Sequence, residues 1–325
     1  MAGPGGRFLV VDGVLRPAAP PPIAAFLESI SGAYTTTRTH GEASVVLFWE
    51  RHLRRLADSA RILAEASGSS ASRFLAPPLP SIQALVNDSL RAGLRRATKD
   101  RKGGEELAIT AIVRGWDGEE EALRRIEVSV HLGLYVPPVF GEGARLALAG
   151  RGRDIAEAKS TEWVRTRKYM EKLRAPVTTE LLLSNDGDRI LEGSVTNFFV
   201  VCRRKVDGTE SSESQGVSGG QYSVEVQTAP VSDGILPGIV RQLVIEICSK
   251  RGIYFREVAP SWADRDLWEE AFLTNSLRLL QHVETIQVPR SWEDLHVKSW
   301  KEVSWEEKRF EGPGIITTQI QRWRL

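Results

Sequence analysis

The chain has 325 residues, is 42% hydrophobic, and carries a formal net charge of +1 from 43 basic and 42 acidic side chains. These values describe a folded globular protein of one large or two ordinary domains. The balanced charge argues against a dedicated nucleic-acid or membrane-surface binder, which shows a basic excess.

Cys202 and Cys248 lie far apart with no CxxC pair, and the five histidines show no metal-ligand spacing. Neither a disulfide framework nor a metal site is expected, and a reducing compartment fits. From Met1 the chain enters the strand-like Phe8–Val11 almost at once, leaving no room for a signal or transit peptide, and no apolar run approaches about 18 residues. A cytoplasmic protein that does not enter a membrane is the expectation.

Phe8–Val11 and Val14–Arg16, joined by Asp12-Gly13, predict a hairpin, followed by a proline-rich loop over Ala18–Pro22. Ala33–Thr39 and Ala43–Trp49 read as paired strands. Leu53, Leu56, Ala60 and Leu63 have helical spacing within a helix over Glu50–Ala64. A second helix is predicted over Ser81–Thr98 with Ser81 as its cap. Leu107–Val113 and Ile126–Leu134 alternate as strands around a charged turn at Trp116–Glu121.

Pro137-Pro138 marks a change in character, and the domains are placed at 1–148 and 149–325. The second part reads as a helix over Thr161–Leu173 capped by Ser160, strands over Glu180–Ser184 and Ile190–Val201, and a helix from Gly238 to Lys250 closed by Gly252. Between its strands, Cys202–Tyr222 is rich in Gly, Ser and Glu and reads as a flexible loop whose removal would cost little.

Several residues in this pattern could carry chemistry. Lys159 alone reads as a solvated charge before a helix. Glu192 stands inside an apolar strand-like run, where a carboxylate is rarely buried without a partner, although it could also end the strand at Gly193 and face water. Pro237-Gly238 opens an amphipathic helix whose free amides suit a phosphate, or simply make a helix entry. Arg55, in His52-Leu53-Arg54-Arg55-Leu56, has the planar fork that phosphate favours, or lies on a basic helix face near Glu50 and Asp58. Thr274-Asn275-Ser276 could bind an anion at a strand end or form a plain turn.

Taken in order, these pieces resemble a pyridoxal-phosphate enzyme of fold type IV, the class IV aminotransferase family. That family includes branched-chain and D-amino-acid aminotransferases and aminodeoxychorismate lyase. The resemblance rests on Gly32–Arg38, on His52-Leu53-Arg54-Arg55-Leu56, and on Lys159 lying 33 positions before Glu192. It rests also on Glu192-Gly193-Ser194 with Thr196-Asn197 and Phe199, and on Gly234–Arg241.

The resemblance implies an α/β (α+β) fold, with a small N-terminal domain and a larger barrel-like C-terminal domain, assembled as a homodimer. It implies pyridoxal 5′-phosphate as cofactor, with Lys159 as the catalytic Schiff-base lysine. Arg55, Glu192, Ile239, Val240, Asn275 and Ser276 would join it in binding the cofactor, and Tyr34 and Arg114 would face the substrate. Amino transfer between an amino acid and a 2-oxo acid is the implied reaction. A pyruvate-releasing lyase is the alternative, and a non-catalytic cofactor-binding protein is an alternative of another class.

The sequence departs from the family at Val240, where a threonine is common. Ala25–Gly32 replaces the usual approach to the first strand, and the arginine expected downstream of Arg114-Gly115 is missing. Thr274-Asn275-Ser276-Leu277 is nearer the lyase branch.

Overall fold

A computed structural model describes residues 6–66, 79–116, 125–204, 223–293 and 295–322. The chain divides into two compact units that interleave along the sequence. The first is Met1–Pro138 with Ile155–Tyr169 and Ser276–Arg278; the second is Val139–Asp154, Met170–Asn275 and Leu279–Leu325. This differs from a single cut near 149. The segment around Lys159 is stapled into the first unit by reciprocal bonds: Thr161 N donates to Gly32 O and Gly32 N to Thr161 Oγ1, each at 3.0 Å.

The first unit is built on a six-stranded sheet of β1 (Arg7–Val11), β2 (Val14–Leu15), β3 (Ala33–His40), β4 (Val45–Val46), β5 (Glu106–Trp116) and β6 (Arg125–Tyr135). Its order is β2-β1-β6-β5-β3-β4 and every pairing is antiparallel. The predicted hairpin forms, with Asp12 and Gly13 both at positive φ. The predicted strand over Ala43–Trp49 shrinks to β4, because Phe48 turns at φ 51 to start a helix.

Period-two alternation assigns the faces. Leu107, Ile109, Ala111 and Val113 of β5 pack under α2 (Trp49–Ala66) and α3 (Leu79–Asp100), against Leu53, Leu56, Ile82, Val86 and Leu90. Ile112 and Tyr34 face the other way, with Leu27 of α1 (Ile23–Ser29) and Val164 of α4 (Thr161–Thr166). Helix α3 starts two residues before Ser81, which is therefore no cap. Mid-helix Gly93 has a packing cause: a Cβ there would overlap the Leu132 side chain. Ser160 does cap α4, accepting from Glu162 N at 3.0 Å, but the predicted helix continues only as a 3-10 turn over Arg167–Leu173.

The second unit is a closed ring of strands with three more attached. Its strands are β7 (Ala144–Gly150), β8 (Glu180–Leu183), β9 (Glu192–Gly193), β10 (Asn197–Arg204), β11 (Ser223–Thr228), β12 (Phe255–Glu257), β13 (Trp268–Asn275), β14 (Leu279–Pro289) and β15 (Trp305–Arg309). The order β10-β13-β14-β7-β8-β9 returns to β10 through the β9–β10 pair, so the ring is a barrel. Leu146, Leu148, Leu182, Phe198, Val200, Leu273 and Val283 cluster on its inner face. Phe199, Val201 and Phe272 point out, under α5 (Ile239–Arg251), which contributes Val244, Ile247 and Cys248, and α6 (Ile315–Gln321), which contributes Ile320.

The run Ile190–Val201 is not one strand. It breaks at 194–196, where Gly193 N donates to Thr196 O at 2.9 Å. The buried Glu180 holds that turn by accepting from Val195 N at 2.8 Å and Thr196 Oγ1 at 2.9 Å. A Cβ on Gly193 would overlap Thr196 and Glu180, so only glycine fits. Strand β10 also runs to Arg204, past the Cys202 at which a loop was expected; the rest of that loop, 205–222, and most of the charged turn near 116–121 lie outside the described residues. Cys202 and Cys248 are free, and burial pushes each thiol up to about 12, leaving both protonated at neutral pH.

Candidate functional site

In the first unit, β3 sets the stage. Threonine recurs on its α2-facing side, and the hydroxyls replace apolar packing with directed bonds. Thr35 Oγ1 lies 2.7 Å from His52 Nδ1 and accepts from Arg55 Nη2 at 3.0 Å. Arg55 is 9% exposed, while its neighbour Arg54 is exposed. Helical geometry accounts for the contrast, since successive residues point about 100° apart. Arg55 thus sits on the inner face of α2, off its exposed basic face.

Lys159 is fixed through its backbone. Its N–H donates to Ser59 Oγ on α2 at 3.0 Å, and its carbonyl accepts from Tyr34 N at 2.9 Å. Its Nζ lies 4.8 Å from the centre of the Tyr34 ring, a cation–π arrangement. Lys168 is exposed and pairs with Glu28 at 2.6 Å. Arg114 gives both sides of its fork to Glu127, its cross-strand partner, at 2.8 Å each. Ser276 falls in the turn after β13, where Arg38 Nε donates to Leu277 O at 2.8 Å.

His52 is fully buried, and its Nε2 has no hydrogen-bond partner among the described residues. Burial, then the positive charges of Arg55 and Lys159, hold its pKa well below the usual 6.5. The folded chain therefore binds fewer protons than the unfolded chain once pH drops under about 6.5, so stability falls as pH falls. The slope from this one group is at most about 1.4 kcal/mol per pH unit. Urea unfolding between pH 7.5 and 5 should show this loss, and His52→Leu should flatten it. Parallel profiles for the two proteins would mean that His52 protonates freely in the folded state.

In the second unit, the turn at 194–196 makes Glu192 and Asn197 cross-strand partners. Glu192 is 1% exposed and does not face water. Its Oε1 accepts from Arg153 Nε at 2.9 Å and Nη2 at 2.7 Å; its Oε2 accepts from Leu236 N at 3.1 Å and lies 3.4 Å from Asn197 Nδ2. The Arg153 side chain is itself only 5% exposed. Sequence reasoning missed Arg153, because Arg151-Gly152-Arg153-Asp154 reads as a polar loop and only the fold puts one of its arginines inside.

Helix α5 opens at Gly238, which supplies no side-chain cap to the amides of the first turn, those of Ile239 and Val240 among them. Asn197 Nδ2 donates to Leu236 O at 2.9 Å, and a Cβ on Gly238 would overlap Asn197 Oδ1. Glycine is what lets the helix start lie against Asn197. The C-terminal end closes on Gly252 at φ 65, as predicted. Asn275 is the last residue of β13, two positions beyond the buried Leu273.

Among the described residues no group of three or more His, Cys, Asp or Glu side chains could hold a metal ion, and no helix is long and apolar enough to cross a membrane.

A family model described as amino-transferase class IV matches residues 32–286 of the chain. The structure is similar to that of a branched-chain aminotransferase from Thermoproteus uzoniensis with norvaline, at 20% identity and TM-score 0.62 over 97% of this chain and 92% of that one. It is also similar to a branched-chain aminotransferase from Thermobaculum terrenum in its PLP-form, at 16% identity and TM-score 0.62 over 97% and 91%. A third similar structure is a putative 4-amino-4-deoxychorismate lyase from Legionella pneumophila, at 18% identity and TM-score 0.57 over 90% and 89%. No curated protein matches the chain. At such identities the structural likeness speaks to the fold, and the family match covers most of the sequence.

Proposed function

The chain belongs to the class IV aminotransferase family, whose members are pyridoxal-phosphate enzymes, and from that premise we propose that it moves an amino group from an amino acid to a 2-oxo acid. The observation that carries the reading is Glu192: a carboxylate shut away from water, held by an arginine and a backbone amide, on a hairpin turn that only glycine permits. Holding a carboxylate so rigidly without water is costly unless its charge has a use.

The residues present fit pyridoxal 5′-phosphate. An uncapped helix start suits a phosphate, and a planar arginine fork suits it equally. A buried carboxylate suits a protonated ring nitrogen. The cofactor, when bound, supplies an aldehyde that joins amines and a conjugated ring that draws electrons from the substrate's Cα.

Lys159 would tether the cofactor through its side-chain amine, and the same Nζ would hold the proton taken from the substrate's Cα and give it back, as general base and then acid. Its backbone anchors fix the stem from which that nitrogen extends. Glu192 keeps the ring nitrogen protonated, and Arg153 keeps Glu192 aimed. Arg55, the Ile239 and Val240 amides, Asn275 and Ser276 hold the phosphate. Tyr34 and Arg114 serve the substrate side. The proposal includes a homodimer in the cytoplasm.

The test is borohydride reduction of the protein reconstituted with pyridoxal phosphate, followed by peptide mapping. The adduct is expected on Lys159. Finding it on Lys168 or Lys172, or finding none, would overturn the assignment. Transfer of a labelled amino group should require an added 2-oxo acid; pyruvate release without one would instead favour a lyase of the same family.

A further inference from the structure

The segment Thr274-Asn275-Ser276 contains one side chain that the reading above leaves unused. Thr274 is 2% exposed, and its Oγ1 has no hydrogen-bond partner among the described residues. A buried hydroxyl without a partner is costly to keep and asks for an explanation.

Its position supplies one. Thr274 is the cross-strand partner of Asn197, and such partners project from the same face of a sheet. Asn197 on that face reaches Leu236 O and borders Gly238, the two positions leading into α5. Two residues back, Phe272 packs with Val244 and Cys248 of the same helix. The Thr274 hydroxyl therefore lies on the α5-covered face, at the strand end beside the uncapped helix start. A hydroxyl can donate as well as accept, and phosphate oxygens only accept.

We propose that Thr274 Oγ1 donates a hydrogen bond to the phosphate group received by the first turn of α5. This rests on the cofactor reading above and supplies the hydroxyl that Val240 lacks. Nearby Ser276, which follows the strand end, could not substitute from the same place, because Thr274 is fixed in the β10–β13 ladder while Ser276 belongs to the turn beyond it.

The test uses the full chain and the variants Thr274→Val, which keeps the shape and loses the hydroxyl, and Thr274→Ser, which keeps the hydroxyl. Valine should weaken pyridoxal phosphate binding by about tenfold or more, and serine should stay within about threefold of wild type. Pyridoxal, which has no phosphate, should bind all three equally. Without ligand, the valine variant should melt at the wild-type temperature or above, because a partnerless polar atom has gone.

Unchanged affinity of the valine variant for pyridoxal phosphate would overturn the proposal. So would equal losses for pyridoxal phosphate and pyridoxal with a lower melting temperature, the mark of a packing role. Inorganic phosphate separates this inference from the reading beneath it. Should phosphate raise the melting temperature of wild type and not of Thr274→Val, while borohydride fixes no cofactor, the anion site stands and the cofactor assignment falls. Equal stabilisation of both proteins by phosphate would remove Thr274 from the site.

Discussion

Lys159→Ala should abolish turnover and leave the fold standing. The residue is held by its main chain, through Ser59 Oγ and Tyr34 N, and both bonds survive truncation of the side chain. What disappears is the amine above the Tyr34 ring, a contact worth about 0.5–1 kcal/mol at an exposed site and more when desolvated. A positioned acid–base group alone contributes roughly 10²–10⁴ in rate, and loss of the tether removes orientation as well, so a fall of about 10⁴-fold or more is expected. Single-turnover kinetics beside a thermal melt check it. A variant that keeps more than about a hundredth of wild-type turnover would show that the reacting amine lies elsewhere.

Glu192→Gln should damage the protein twice, and the two losses can be separated. The amide is nearly the size of the carboxylate, yet it takes the negative charge out of a buried ion pair with Arg153, a loss that typically costs about 3–5 kcal/mol. The melting temperature should drop accordingly. Removing the negative charge from a site sealed from water should slow turnover by roughly a hundredfold or more in the protein that remains folded.

Pairing the change with Arg153→Met removes the other charge of the pair, so stability should recover while turnover stays low. Recovery of both together would mean that Glu192 serves only to neutralise Arg153.

The predicted elements succeed where side-chain period and capping decide the structure. Alternation in Leu107–Val113 and the spacing of Leu53, Leu56 and Ala60 produce the strand and helix they imply. Ser160 and Gly252 bound their helices as read. Errors arise where a distant residue decides. Nothing local says that Glu180 will reach up to break Ile190–Val201 into a hairpin, and the apolar letters on both sides of Gly193 read through it.

The interleaving of the two units has the same origin. Lys159 belongs to the first unit because Gly32 and Thr161 exchange bonds across well over a hundred positions of sequence, a pairing no window can see. The acidic and basic site candidates were legible as residue types at suggestive intervals. Their supports, Thr35, Ser59 and Arg153, were not, since each is an ordinary letter until the fold encloses it.

The pair of residues that forms β9 gives the barrel an unusual kind of seam. A ring of strands has no free edge only while every neighbour is zipped, and here the strand that closes the ring is two residues long and meets β10 through the Glu192–Asn197 pair. Glu192 sits in that seam. Any breathing that parts β9 from β10 would admit water to the carboxylate and loosen Asn197 from the start of α5 in the same motion. Barrel closure and the electrostatics of the site are thus one mechanical event. A longer or softer turn at 194–196 would cost both at once, which makes those three residues a poor place for insertion, however close to the surface a hairpin tip lies.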